Sequence, residues 1–316
     1  MTVHFILSGE TLESICEEIH LENSNYLKEF HNSHCAREDI IDEVLMPGRK
    51  LLLPDFKIIN EYNSRNDAPF KQPKLNPVIP FMPEDFSKIY TVTITEIEEN
   101  ELEKKNNILT YTVSVKWIRK EGLSHIFHIF KNNFSDAQGS MLSDLASESI
   151  RALNPLVIKT NDKGGIIKIE LNENAASHFS AIKNRLIDLF PDPYARIYLD
   201  EFEFAVMNRD LFDKRMKENL FMKIYFASLR NHFQNGKSFL RQTVGEQNIP
   251  VELIQKVEHW NSQDEILFRQ NETLEQQVIF NGKYTVLAKT GMVKRAEVSY
   301  SIVYEDFKSS TFITIE

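Results

Sequence analysis

Five residues able to ligate a metal or carry a proton crowd the start of the chain: Cys16, His20, His31, His34 and Cys35. Spacings of three and four place side chains on one helix face, as a zinc site built on a helix requires. Cys16, however, falls on the apolar stripe Leu12, Ile15, Cys16, Ile19, where a thiol reads as a small buried hydrophobe. The spacings also match no standard zinc pattern. Asp200, Glu201 and Glu203 could supply the two carboxylates of glycosidic cleavage. Such a run reads more simply as the wet face of a helix. His125 and His128 lie three apart in the alternating stretch HIFHIF, so they point to opposite faces of one strand and cannot act as a pair. There is no G-x-S-x-G elbow, H-E-x-x-H pair, phosphate loop or dinucleotide fingerprint. The chain reads as non-catalytic, with no metal and no cofactor expected.

One loop remains. In FILSGETLESICEEI a short strand (residues 3–7) runs through Ser8-Gly9 into a helix that Glu10 or Thr11 can cap. A second helix fits Ser24 to His31, with Tyr26, Leu27 and Phe30 as its apolar face. In LMPGRKLLLP, Pro47-Gly48 make a turn, Leu51 to Leu53 a second strand, and Pro54 ends it. The result is a β-α-α-β unit of about fifty residues whose two strands can pair.

These features resemble the LysM domain family: strand FIL, then Ser8-Gly9-Glu10-Thr11-Leu12, Ile15, Leu27, Asn32, and Leu45-Met46-Pro47-Gly48 with Leu51 and Pro54. The resemblance covers residues 3–54; Glu10 stands where the family usually has Asp. It implies a shallow groove for N-acetylglucosamine polymers, with Gly9, Glu10, Thr11 and Leu12 along one wall and Asn32, Leu45 and Met46 along the other. The bland alternative is that Gly9 supplies a turn, Thr11 a cap and Leu12 core.

Beyond Pro54 the character changes. Pro69, Pro73, Pro77, Pro80 and Pro83 punctuate a polar segment, so residues 55–86 read as an extended, stiff linker. Residues 87–316 read as one α+β domain of antiparallel strands with several packed helices. YTVTITEI (90–97) and ILTYTVSVKWI (108–118) alternate, with EENELEKKNN between them as a solvated loop. HIFHIF (125–130) reads as a central strand, a helix fits 141–152, and Lys163-Gly164 joins a hairpin. Helices are expected at 173–190 and through 194–233, with the aromatic LFMKIYF (220–226) as core, and a short helix at 250–260. EILFRQ, EQQVIFNGKYTVLAK and RAEVSYSIVYEDF return to strands.

The 316 residues carry 37 basic and 46 acidic side chains, a formal charge of −9, which argues against nucleic acid as the main partner. Two cysteines provide no disulfide framework. MTVHFILSGE lacks the features of a secretory signal, and no window is apolar enough to span a bilayer. A cytoplasmic protein is expected, exported only by a non-classical route. Two functions follow from the resemblance. One is a non-catalytic bacterial binding protein whose module recognises peptidoglycan while residues 87–316 serve as a partner or cargo platform. The other is an intracellular adaptor or chaperone of a contractile injection machine, of type VI secretion or phage-baseplate kind, which docks protein through the same module.

Overall fold

A computed structural model of the chain describes residues 2–42, 44–100, 103–136, 139–245, 247–260, 264–273, 278–304 and 307–316. The chain divides into two compact units: Met1–Pro77 with Phe233–Gly236, and Val78–His232 with Lys237–Glu316.

In the leading unit, β1 (Thr2–Phe5) and β2 (Lys50–Leu53) form an antiparallel two-stranded sheet, with Val3 opposite Leu52 and Phe5 opposite Lys50. Between them run α1 (Leu12–Glu18) and α2 (Ser24–His34), and α3 (Phe56–Ser64) follows. Ile6, Ile15, Cys16, Leu21, Leu27, Ile41, Leu51 and Ile59 form the core. His31 pins α2 to β2: the Leu52 amide donates to Nδ1 at 3.0 Å, so Nε2 carries the proton and donates to the Asp39 carbonyl at 2.8 Å.

The expected linker begins instead with a packed helix. Asp55 caps α3 through the Ile58 amide, Ile59 enters the core, and Tyr62 stacks on Tyr26 with centroids 4.5 Å apart. Asn63 accepts from the Glu22 amide and donates to the His20 carbonyl, both at 2.9 Å. Every proline of the tract lies after Ala68, so nothing prevents an amphipathic helix before it.

The larger unit is built on one antiparallel sheet. Its elements are β3 (Ser87–Asn100), β4 (Lys104–Glu121), β5 (Ser124–Asp136), α4 (Met141–Ala152), β6 (Leu156–Thr160), β7 (Ile166–Leu171) and α5 (Glu173–Ser177). Then come α6 (Phe179–Leu189), α7 (Pro193–Met207), α8 (Arg209–Glu218) and α9 (Leu220–Tyr225). The strands β8 (Lys237–Val244), β9 (Ile249–Trp260), β10 (Glu265–Glu272), β11 (Val278–Leu287), β12 (Val293–Tyr304) and β13 (Phe307–Ile315) complete it. The order is β7-β6-β5-β4-β3-β13-β12-β11-β10-β9-β8, so the last strand pairs with the first and the two meanders spread outward from that seam. The chain is an α+β fold dominated by this sheet.

The sheet is rolled. Arg230 donates from Nη1 to the Lys163 carbonyl (3.0 Å) in the β6–β7 turn and from Nη2 to the Gly291 carbonyl (2.6 Å) in the β11–β12 turn. In a flat sheet those turns would lie six strand spacings apart, roughly 29 Å, beyond one side chain's reach. The inner face is largely apolar, and α9 packs against it with Phe221, Met222, Ile224 and Tyr225 all buried. Gln255 donates to the Leu229 carbonyl (2.9 Å) and Gln270 to Gln255 (2.7 Å), which straps the chain after α9 to β9 and β10. Separately, α4, α6 and α7 gather around Leu145, Leu186, Ala195 and Leu199.

Three expectations change. Residues 250–260 are strand, not helix, because Val251, Leu253 and Gln255 alternate inward and pair with β8. Pro250 is tolerated there because β10 pairs no further than Leu253, so the missing amide is asked for no ladder bond. The acidic loop is shorter than expected, since pairing continues to Glu99 opposite Lys104. Helix 173–190 breaks at His178, whose backbone closes α5 and opens α6. Glu101 and Leu102 of that loop, 275–277 at the head of one expected strand, and 305–306 near the end of another lie outside the described residues.

Candidate functional site

The loop between β1 and α1 is held by its own side chains. Thr11 and Ser14 form a reciprocal capping box on α1. The Glu10 carboxylate accepts from the Leu7 amide at 2.7 Å and bonds His4 Nε2 at 2.8 Å. Those two bonds, the Leu7 amide first, hold its carboxyl below the ordinary value of 4.5. A depressed folded-state value stabilises the loop above the ordinary one and ceases to do so as pH falls through the folded value. Amide exchange at Leu7 is therefore expected to stay protected down to the ordinary carboxylate range and to accelerate below it.

On the second expected wall, Asn32 makes a pair of hydrogen bonds to the backbone of one residue, Ile41. Its Oδ1 accepts from the Ile41 amide and its Nδ2 donates to the Ile41 carbonyl, both at 2.9 Å. Asn32→Ala strands two half-buried backbone groups and should cost the leading unit about 2 kcal/mol, measurable as loss of Ile41 amide protection.

Of the seven residues named for the groove, Glu10, Thr11 and Asn32 thus spend their polar side chains inside the unit. Leu12 and Leu45 pack against its core. Gly9 and Met46 remain outward: Gly9 has φ +90° with nothing within 4 Å of where a Cβ would stand, and Met46 is exposed. The two loops are neighbours, because the Gly48 amide donates to the Ile6 carbonyl and the Ile6 amide to the Arg49 carbonyl.

The same unit presents a surface that residue spacing did not single out. Along β1 and the two residues that follow it, His4 and Ile6 turn inward, while Val3 (48% exposed), Phe5 (57%) and Leu7 (63%) turn outward. Leu52 lies opposite Val3, and Lys50 opposite Phe5. Met46 and Val44 are exposed on the adjoining loop and Phe56 at the head of α3. The signal was available, since TVHFIL is apolar at both its odd and its even positions after His4, unusual for a two-stranded sheet with one wet face.

The other chemical candidates resolve into structure. Burial pushes the Cys16 thiol up to about 12, so it stays protonated. His31 uses both ring nitrogens on backbone, and His34 Nδ1 faces the Phe30 carbonyl. Among the described residues no three metal-ligating side chains converge. Lys183 bridges Asp200 and Glu203, each at 2.5 Å, as an ion triad on neighbouring helices. His125 accepts from Trp117 Nε1 at 3.2 Å with the Phe81 ring edge-on to it. No described helix is long and apolar enough to cross a membrane.

No family model matches the sequence, and no curated protein matches it. Among solved structures, lipovitellin, studied for its lipid–protein interactions, aligns at 9% identity with a TM-score of 0.40, over 72% of this chain and 24% of its own. This chain thus spans about a quarter of that lipovitellin chain. A LolA superfamily protein from Nitrosomonas europaea aligns at 8% identity and a TM-score of 0.18, over 78% of this chain and 90% of its own. Likenesses at these scores do not establish a shared fold or activity.

Proposed function

We propose that the chain is a non-catalytic binding protein whose leading unit is a LysM-type module used to dock a protein partner, as an adaptor of a contractile injection machine would. The observation that carries this reading is the outward strip Val3, Phe5, Leu7 and Met46, apolar and exposed on a unit whose groove side chains are already engaged. An exposed apolar strip favours an apolar partner surface. A neutral glycan needs convergent hydrogen-bonding groups, and three of the polar side chains named for that task are spent elsewhere.

Glycan recognition is the second reading, favoured by one observation: the open backbone at Gly9, where no side chain crowds the loop. In that reading Glu10, Thr11 and Asn32 hold two loop backbones rigid, and Gly9, Leu12, Leu45 and Met46 line the groove.

The two readings separate on Phe5→Glu in the full chain. Docking predicts that co-purification with a tube or baseplate component is lost in the variant while the fold is kept. If the same partner is retained at unchanged yield, the strip is not the docking surface.

A further inference from the structure

The rolled sheet ends in two very different edges. At β7 the free side is blocked: the Ile169 amide donates to Asp213 Oδ1 at 2.7 Å, and Lys217 Nζ donates to the Ile167 carbonyl at 2.7 Å. Both side chains come from α8, which lies along that strand. An edge so occupied offers no template to another chain.

At β8 the direction of the backbone groups follows from two bonds. The Glu252 carbonyl accepts from the Thr273 amide on the β10 side, so Glu252 and its register partner Arg241 exchange no ladder bonds. The Phe239 carbonyl accepts instead from Asn231 Nδ2 at 3.1 Å, away from β9. The amides and carbonyls of Lys237, Phe239, Arg241 and Thr243 therefore face off the sheet. Asn231 at Phe239 is the one described side chain bonded to this row. The strand is eight residues long and keeps strict alternation at its head, with Ser238 and Leu240 buried and Lys237, Phe239 and Arg241 outward.

The outward side chains indicate what would pair there. Phe239 is 66% exposed between Lys237 and Arg241. Among the described residues neither cation makes an ion pair; Lys237 stands opposite Lys256, and Arg241 opposite Glu252 without bonding it. Three cations against one carboxylate is an unusual balance on a chain of net charge −9. A second copy of this edge fits poorly, because antiparallel pairing about Leu240 would set two Lys237 and two Arg241 side chains on one face.

We propose that β8 is a docking edge for an extended acidic–apolar segment of another protein. The segment adds as a further strand, sets an apolar side chain over Phe239 and places carboxylates against Lys237 and Arg241. This site is separate from the leading unit and stands whether or not the reading of that unit does.

The test uses the full chain and a fluorescein-tagged peptide, Val-Glu-Val-Phe-Val-Glu-Val, with its lysine counterpart as control. The glutamate peptide should bind, weaken with salt, and slow amide exchange at Phe239 and Arg241 while leaving Ile167 and Ile169 unchanged. The double variant Lys237→Glu/Arg241→Glu, altered only at exposed positions, should lose about tenfold or more in affinity and now prefer the lysine peptide. Equal binding of both peptides to the native chain would overturn the proposal. So would a saturating peptide that protects no β8 amide, or a dimer already joined through β8 without peptide.

Discussion

Replacing Gly291 by alanine is expected to unfold the larger unit under conditions where the native chain is fully folded. Gly291 sits in the β11–β12 turn at φ +70°, and a Cβ there would stand 1.8 Å from the Pro80 carbonyl oxygen. No rotamer relieves such a contact, because the backbone fixes where a Cβ stands and the oxygen is itself backbone. Either residue 291 or the segment carrying Pro80 must move by more than an ångström. Movement breaks what the turn holds: the Gly291 carbonyl takes Arg230 Nη2, and the neighbouring Thr290 carbonyl takes the Met82 amide at 3.0 Å. Arg230 is the side chain that ties two distant turns of the rolled sheet together, so the loss propagates. A cost of about 4 kcal/mol or more follows, a large share of the 5–15 kcal/mol that holds a typical domain together. Urea titration followed by tryptophan fluorescence reports this directly, since Trp117 and Trp260 both belong to the larger unit. Gly9→Ala is the control: its φ is +90°, but the space is empty, so only the backbone term of about 1–2 kcal/mol applies. A similar urea midpoint for Gly291→Ala and the native chain would mean that the sheet is not closed by that turn.

Lys131→Met should do the reverse and stabilise the larger unit near neutral pH. Lys131 lies on the inner face of β5, fully buried, with its ammonium 2.9 Å from Asn219 Oδ1 and above the rings of Tyr111 and Phe221. Among the described residues no carboxylate pairs with it. Burial lowers its pKa from 10.5 to about 8. For a base with a lowered folded value, the unfolded chain binds the proton more tightly, so the penalty is fully present below about 8 and fades as pH rises toward 10.5. The shift is worth about 3 kcal/mol at neutral pH. Methionine keeps the length and removes the charge, at the cost of leaving Asn219 Oδ1 without its donor, about 1 kcal/mol. A net gain of about 2 kcal/mol is expected at pH 7, falling through zero as pH rises and becoming a loss of about 1 kcal/mol once the penalty has faded near pH 10.5. A variant no more stable than the native chain at pH 7, or equally advantaged at both pH values, would show that the lysine is not a buried uncompensated cation.

Much of the architecture could be read from residue order. The leading strand, two helices and second strand follow from Gly9, the Leu12–Ile19 stripe and Pro47-Gly48, because each is a local signal with a local cause. The helix at Met141–Ala152 and the β6–β7 hairpin are of the same kind. What escaped depends on distant partners. Residues 56–64 form a helix because Ile59 and Tyr62 find a core and a ring elsewhere in the unit, and the prolines downstream masked that face. Strand β9 reads as helix from residue order because apolar residues at 251, 253 and 254 suit either period until β8 and β10 are in place. Strand β13 closes the seam with β3 across more than two hundred positions, which no local pattern records.

For the candidate groove, residue order marks which polar side chains belong to its expected walls and leaves their bonds open. Glu10, Thr11 and Asn32 stand out in the sequence as polar residues of those walls, and the structure engages each with neighbouring backbone. Polar residues at turns serve loop and ligand alike in sequence; only their bonds distinguish the two. The exposed strip at Val3, Phe5 and Leu7 does not show in residue order, because Phe5 and Leu7 look like core until their exposure is known.

The most direct measurement of the central claim is a titration of the full chain with an N-acetylglucosamine hexamer, followed by calorimetry and by the amide resonances of Gly9, Leu12 and Met46. A protein-docking module predicts no saturable heat and unmoved resonances up to millimolar sugar. Saturable binding that shifts all three amides would contradict it and make the groove between the two loops a glycan site.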